Sequence, residues 1–356
     1  MFKFAALFPT LLLCGCALFN PVPTQSGIHT EWMDPTVRPQ DDLYGYTNGK
    51  WLATAVIPPD RARFGAFDQL RDQSESTLHE ILEGLSRAPQ LESGSESQKL
   101  SDLYTSFMDE ERLTRLGVGP VAATLEQIER CATVDDVVRL FAQLGRGEAS
   151  VPMAGYVSQD ARDTDRYTVY ITQSGLGLPD RDYYLDTGNA RLEGFRKAYV
   201  AYLTELFSRA ARPNPESSAK QVLALETKLA ALQWSKVQNR DAVKTYNRFL
   251  VADLSAQLAP NFPWQAWMEA ASLVNRTDSV VVRQPDYLKG LGDLLHSQSL
   301  DAWKVYLTAR VLDGMAPYLG RELENIHFQF HSKTLRGIPE NRPRWKRAVA
   351  TVEGAL

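Results

Sequence analysis

The sequence predicts a mainly α fold, a large helical lobe with a small β-hairpin insertion. Three observations carry that expectation. Apolar residues recur three or four positions apart along most of the chain, the period of one helix face. A single region near 153–173 changes to β-favouring residues around a polar turn. No internal repeat and no mid-chain linker divides the sequence, so one helical body is expected over 41–356.

Residues 1–16, MFKFAALFPTLLLCGC, place one early cation, Lys3, before an apolar run over 4–13. That run is too short for a membrane-spanning helix, which needs about 20 apolar residues. A basic start, a short apolar stretch and a small residue are the layout of a signal peptide. Cys16 directly after Gly15 also resembles the lipobox of bacterial lipoproteins, which implies cleavage and lipidation at Cys16. Ala17 beside it points to outer-membrane sorting; the plainer alternative is an ordinary signal peptide with incidental cysteines. Residues 17–40 hold Pro21, Pro23, Pro35 and Pro39 among polar residues and read as a flexible tether.

Beyond residue 41, Phe67, Leu70, Leu78, Ile81, Leu82 and Leu85 mark one face of a helix. Leu100, Leu103, Tyr104 and Phe107 repeat the pattern after the Ser-rich loop 93–97. Further helices are expected over 134–144, 195–207, 222–234, 303–318 and 345–356. Pro213, Pro215, Pro260 and Pro263 fall between elements, where proline is tolerated. Segments 153–158 and 167–173, joined by QDARDTDR, read as the hairpin, and 280–282 as a further short strand.

The net charge of −4 argues against a nucleic-acid partner, which would want a basic stripe. The 44% hydrophobic and 23% charged content is ordinary for a globular protein and excludes little else. With Cys14 and Cys16 in the leader, Cys131 has no partner for an internal disulfide, so stability must come from core packing.

Five strings occur in order: DDLYGYTNGKW at 41–51, IPPDRARFGAFDQLRD at 57–72, GLGLPDRDYYL at 175–185, NRDAVKTYN at 239–247 and KTLRGIPENRPRW at 333–345. Their residues have structural readings. Asn48-Gly49 is a turn dipeptide, and Trp51 an anchoring core aromatic. Gly175 and Gly177 permit positive φ, Pro179 fixes a bend, and Asp180, Arg181 and Asp182 could brace it by ion pairing. Arg240 and Asp241 read as a structural pair. Taken together the strings resemble the amino-terminal domain of the neprilysin family of zinc metallopeptidases, which includes bacterial oligopeptidases. The resemblance runs from about Asp34 to the last residue. It implies a helical lobe that caps a catalytic lobe and restricts substrates to short peptides. It also implies that Arg63 and Arg71, in RARFGAFDQLRD, hold the carboxylate end of those peptides. A guanidinium suits that task because its planar fork donates two parallel hydrogen bonds. The plainer alternative is that both face solvent or pair with Asp60, Asp68 or Asp72.

Hydrolysis by zinc needs three protein ligands, a bound water and a general base, commonly on an H-E-x-x-H helix. None of His29, His79, His296, His327 and His331 begins that motif. HEILE at 79–83 has Glu83 where the second histidine belongs. His327 and His331 have the i, i+4 spacing, but Phe328 takes the place of the base, and only Glu322 and Glu324 lie nearby in sequence. They read as ordinary histidines, so no metal ligand or catalytic residue is assigned. There is no G-x-S-x-G elbow, and Cys131 has no evident histidine partner. The resemblance places the zinc in a carboxyl-terminal half beyond RPRW, so no cofactor is expected in these residues.

The sequence therefore reads as the lid and substrate-recognition half of a neprilysin-like metalloendopeptidase at the cell envelope, inactive without the zinc domain. The alternative is a stand-alone envelope lipoprotein that binds peptides or a partner protein. Expected partners are short peptides, a membrane through the lipid anchor, and either the catalytic half or a second copy through an exposed apolar face.

Overall fold

The computed structural model describes residues 27–147 and 149–355. The expected leader 1–16, with Cys16, and the first part of the expected tether lie outside the described residues. The chain divides into two compact units, Met1–Val56 and Ile57–Leu356. In the described part of the first unit, a 3₁₀ turn, Thr30–Trp32, precedes the helix Leu43–Thr54. Asp42 caps that helix by accepting the Gly45 amide at 2.8 Å. Asn48 and Gly49 lie inside the helix and form no turn, which corrects the reading of that dipeptide. Gly49 serves close approach instead: a Cβ there would fall 2.6 Å from Asp34 Cβ, where the Asp34 amide bonds the Tyr46 carbonyl. Trp51 is half-buried beside Trp32 and is not a core anchor, because no residue of this helix is buried.

The second unit is mainly helical, as expected. The expected helices occur as Ala66–Ser86, Glu96–Met108, Val134–Leu144, Ala190–Arg209, Pro215–Leu232, Leu300–Met315 and Arg344–Ala355. Their caps follow composition: Thr133 and Asp136 form a capping box, Asn189 accepts two amides, and Pro215 begins its helix at the position where its missing N–H costs nothing. The helices Ala122–Arg130, Trp264–Ala270, Pro285–Ser297 and Arg321–Phe328 were not anticipated. No helix among the described residues is long and apolar enough to cross a membrane.

The β region is larger than a hairpin. Strands β1 (Met153–Asp160) and β2 (Asp163–Gln173) pair antiparallel, with a register shift at Gln159/Asp160. Two short strands, β3 (Asn247–Leu250) and β4 (Ser279–Val282), extend the sheet to the order β1-β2-β4-β3. β4 runs parallel to β2, with Val169 opposite Val280, and antiparallel to β3. All four of its residues are buried, which is why its sequence is a run of valines without alternation.

Two cores hold this unit. The larger joins the Val169, Ile171, Val280 and Val282 face of β2 and β4 to the central helices through Phe141, Leu203, Leu229, Tyr287, Trp303 and Leu307, all fully buried. The smaller joins Leu82, Tyr104, Phe107, Ala348, Val349 and Val352, and so packs Ala66–Ser86 and Glu96–Met108 against Arg344–Ala355. Within Ala66–Ser86 only part of the apolar pattern is covered. Leu82 is buried and Leu78 and Leu85 half-buried, whereas Phe67, Leu70 and Ile81 are exposed.

Candidate functional site

The first turns of Ala66–Ser86, the loop 57–65 before it and the segment 332–342 enclose a groove of about 480 Å³. Five arginines line it: Arg61, Arg63, Arg71, Arg336 and Arg342. Three are committed. Arg61 forms a two-pronged bond to Asp72 (3.2 and 3.0 Å) and reaches Asp60 at 3.2 Å. Lys346 also meets Asp72, at 2.9 Å. Arg61 and Lys346 together hold the Asp72 carboxyl below its usual range. Arg342 bonds both oxygens of buried Glu75 at 2.7 Å. Arg336 reaches back to the His331 carbonyl (3.1 Å) and the Ser332 hydroxyl (2.7 Å).

Arg63 and Arg71 differ. Both are exposed, both line the groove, and neither makes a hydrogen bond or an ion pair among the described residues. Two of the three acidic side chains that could have neutralised them, Asp60 and Asp72, are occupied by Arg61. The lining thus leaves Arg63, Arg71 and Arg336 without an acidic partner, against Asp68 and Glu340. Such a site suits a carboxylate, which accepts parallel N–H donors and brings the missing charge.

The loop GLGLPDRDYYL belongs to the scaffold. Tyr184 Oη accepts the amides of Gly177 (3.1 Å) and Leu178 (2.8 Å) and donates to Glu226 at 2.7 Å. Tyr199 donates to the other Glu226 oxygen at 3.1 Å and accepts from Arg310 Nη2 at 2.6 Å. Tyr306 donates to the Gly175 carbonyl at 2.6 Å. Gly175 has φ +89°; Gly177 is needed for space, since a Cβ there would overlap the Tyr199 hydroxyl. The ion pairing expected among Asp180, Arg181 and Asp182 does not form. Asp180 pairs with Lys236 at 2.9 Å, and Arg181 donates to the Gln233 carbonyl at 2.6 Å. Asp241 likewise pairs with Lys244 (3.6 Å) and accepts the Val243 and Lys244 amides, with no bond to Arg240.

The histidines and Cys131 separate by environment. His79 stacks on Trp345 at 4.4 Å, and Glu83, in the second-histidine place, accepts the Tyr104 hydroxyl at 2.7 Å. HEILE is therefore packing, and its residues do not fit a hydrolytic zinc. Cys131 is buried and free, and burial pushes its thiol up, away from nucleophilic use. His327 and His331 stack at 4.2 Å where Arg321–Phe328 passes into the π-helical turn Gln329–Thr334. Burial depresses His327 to about 4, and the neighbouring His331 adds to this. Glu322 and Glu324, the carboxylates near in sequence, are taken by Arg209 and by Arg344 and Arg347. Asp313 accepts from His331 at 2.7 Å and was missed from sequence, because it lies on the preceding long helix, out of step with any local motif.

The chain is 25% identical to endothelin-converting enzyme 1 of Rattus norvegicus over 335 residues, covering 91% of this chain and 43% of that protein. It is 27% identical to membrane metallo-endopeptidase-like 1 of Homo sapiens over 348 residues, covering 91% and 44%. Among solved structures, the zinc metalloprotease Zmp1 of Mycobacterium tuberculosis, in complex with an inhibitor, superposes with a TM-score of 0.86 and 36% identity, covering 93% of this chain and 50% of that one. The chain thus spans about half the length of the relatives it matches. Residues 39–356 match the model of the amino-terminal part of peptidase family M13, and the chain belongs to that family of neprilysin-type zinc metallopeptidases.

Proposed function

We propose that residues 57–356 are the peptide-recognising lobe of a neprilysin-type zinc peptidase at the cell envelope, and that Arg63 and Arg71 hold the carboxylate end of short peptides. One observation carries this reading: two guanidiniums stand unpaired in a groove where Asp60, Asp72 and Glu75 are bound by other cations and only Asp68 and Glu340 are left. Arg61, fixed by Asp60 and Asp72, shapes the wall. Arg63 and Arg71 meet the substrate. Binding of a terminal carboxylate there would orient the peptide and leave its backbone to be cut by groups supplied elsewhere. No H-E-x-x-H occurs in these 356 residues, so zinc, its ligands and the general base are proposed to come from a catalytic half outside them. Phe67 (86% exposed) and Leu70 (57% exposed), on the same helix as Arg71, support an apolar contact with that half or with a second copy. Tethering through a lipid on Cys16 is part of the same proposal and rests on the sequence of the leader.

The test is a paired titration of the 356-residue chain with a short peptide ending in a free carboxylate and with its carboxyl-terminal amide. Hydrogen bonds to a charged group contribute about 1.5–3 kcal/mol, so the free acid should bind roughly tenfold to a hundredfold more tightly. Arg63→Ala should remove most of that difference. Equal binding of acid and amide would overturn the reading.

A further inference from the structure

We propose that Asp313, His327 and His331 form a binding site for a divalent transition-metal cation of the zinc class. One donor atom from each residue lies within 4.8 Å of the other two. Tetrahedral coordination at about 2.0–2.1 Å needs donors about 3.4 Å apart, so closure asks for side-chain shifts of an ångström or so, not backbone rearrangement. Two imidazoles and one carboxylate are the donor set that suits zinc, cobalt or nickel better than magnesium or calcium, which prefer oxygen alone.

The surroundings favour the cation. The His327 ring makes no hydrogen bond among the described residues; it stacks on His331 and meets Tyr202 edge-on, so a ring lone pair is free. His331 Nε2 faces Asp313 Oδ1 at 2.7 Å, so the place a metal would take is held by one shared proton. Tyr202 donates to the same carboxylate at 2.6 Å and would orient it as an outer-shell partner. Two fixed positive charges are close: Arg310, 3.6 Å from Asp313 and also paired with buried Glu226 at 3.4 Å, and Arg336, which donates to the His331 carbonyl at 3.1 Å. Asp313 and His331 are 15% and 22% exposed, which leaves room for water as a further ligand. Phe328 and the occupied Glu322 and Glu324 leave no general base beside the pair, so the role assigned is binding, not hydrolysis.

Cobalt titration of the 356-residue chain tests this through visible absorption, a readout independent of peptidase activity. One cobalt per chain with a tetrahedral-type band is expected, displaced by zinc. His327→Gln should weaken binding about a hundredfold, whereas His296→Gln should leave it unchanged. Because the His327 ring makes no hydrogen bond, its variant should fold even if His331→Gln does not; circular dichroism checks this. Absence of the band, or wild-type affinity in folded His327→Gln, would overturn the proposal.

Discussion

At the scale of single residues, the same side chain does opposite work a few positions apart. Arg61 is bound by two carboxylates and Arg63 by none, although both occur in one short string. Arg63→Ala should therefore leave stability within about 0.5 kcal/mol of the wild type in urea unfolding, since surface changes away from networks cost little. The buried network behaves differently. Arg310 and Glu226 are both fully buried, and removing one partner strands the other charge. Arg310→Met should cost about 3–5 kcal/mol in the same measurement, and adding Glu226→Gln should recover part of it. An unchanged midpoint in Arg310→Met would show that the pair is not structural. Arg63 and Arg71 were singled out through the resemblance carried by one string, and the structure places both on one groove. Asp313 was not singled out, because its meeting with His331 depends on how two helices cross.

At the scale of elements, helices with a strong apolar period and the valine run of β4 were legible, and β3 was not. Val134–Leu144 carries its apolar stripe and capping box in its own sequence. β3 is four residues long with no distinctive alternation, and only its pairing with β4 makes it a strand. Asn48-Gly49 misled because a glycine chosen for close packing looks the same as one chosen for a turn. The hairpin end offers a pH test. Asp160 accepts the Arg162 amide (2.9 Å), pairs with Arg166 (2.7 Å) and accepts from Tyr246 (2.8 Å). The Arg162 amide is the main cause that brings Asp160 down to about 2. A carboxylate depressed in the folded state contributes stability above its unfolded value near 3.9, and loses it as pH falls toward 2. Asp160→Asn should thus lower Tm at pH 6, with the gap to wild type closing between about pH 4 and pH 2. A gap that does not change with pH would contradict this. Gly177→Ala should destabilise by about 1–3 kcal/mol or more, because the Tyr199 hydroxyl and Arg310 leave no space for a methyl.

At the scale of the whole molecule, the large core and its satellite account for the fold of residues 57–356, and the groove lies beside the satellite. The helical class followed from periodicity, and family membership from five ordered strings. The exposed side of Ala66–Ser86 did not, since Phe67 and Leu70 fit the buried pattern but face outward. If that face meets another polypeptide, sedimentation should show concentration-dependent association that Phe67→Ser with Leu70→Ser abolishes. A monomer at high concentration would count against it. The most direct test of recognition without catalysis is to incubate the purified 356-residue chain and zinc with a short peptide, following binding and product mass together. The account predicts carboxylate-dependent binding with the peptide left intact; chelator-sensitive cleavage by this single polypeptide would contradict it.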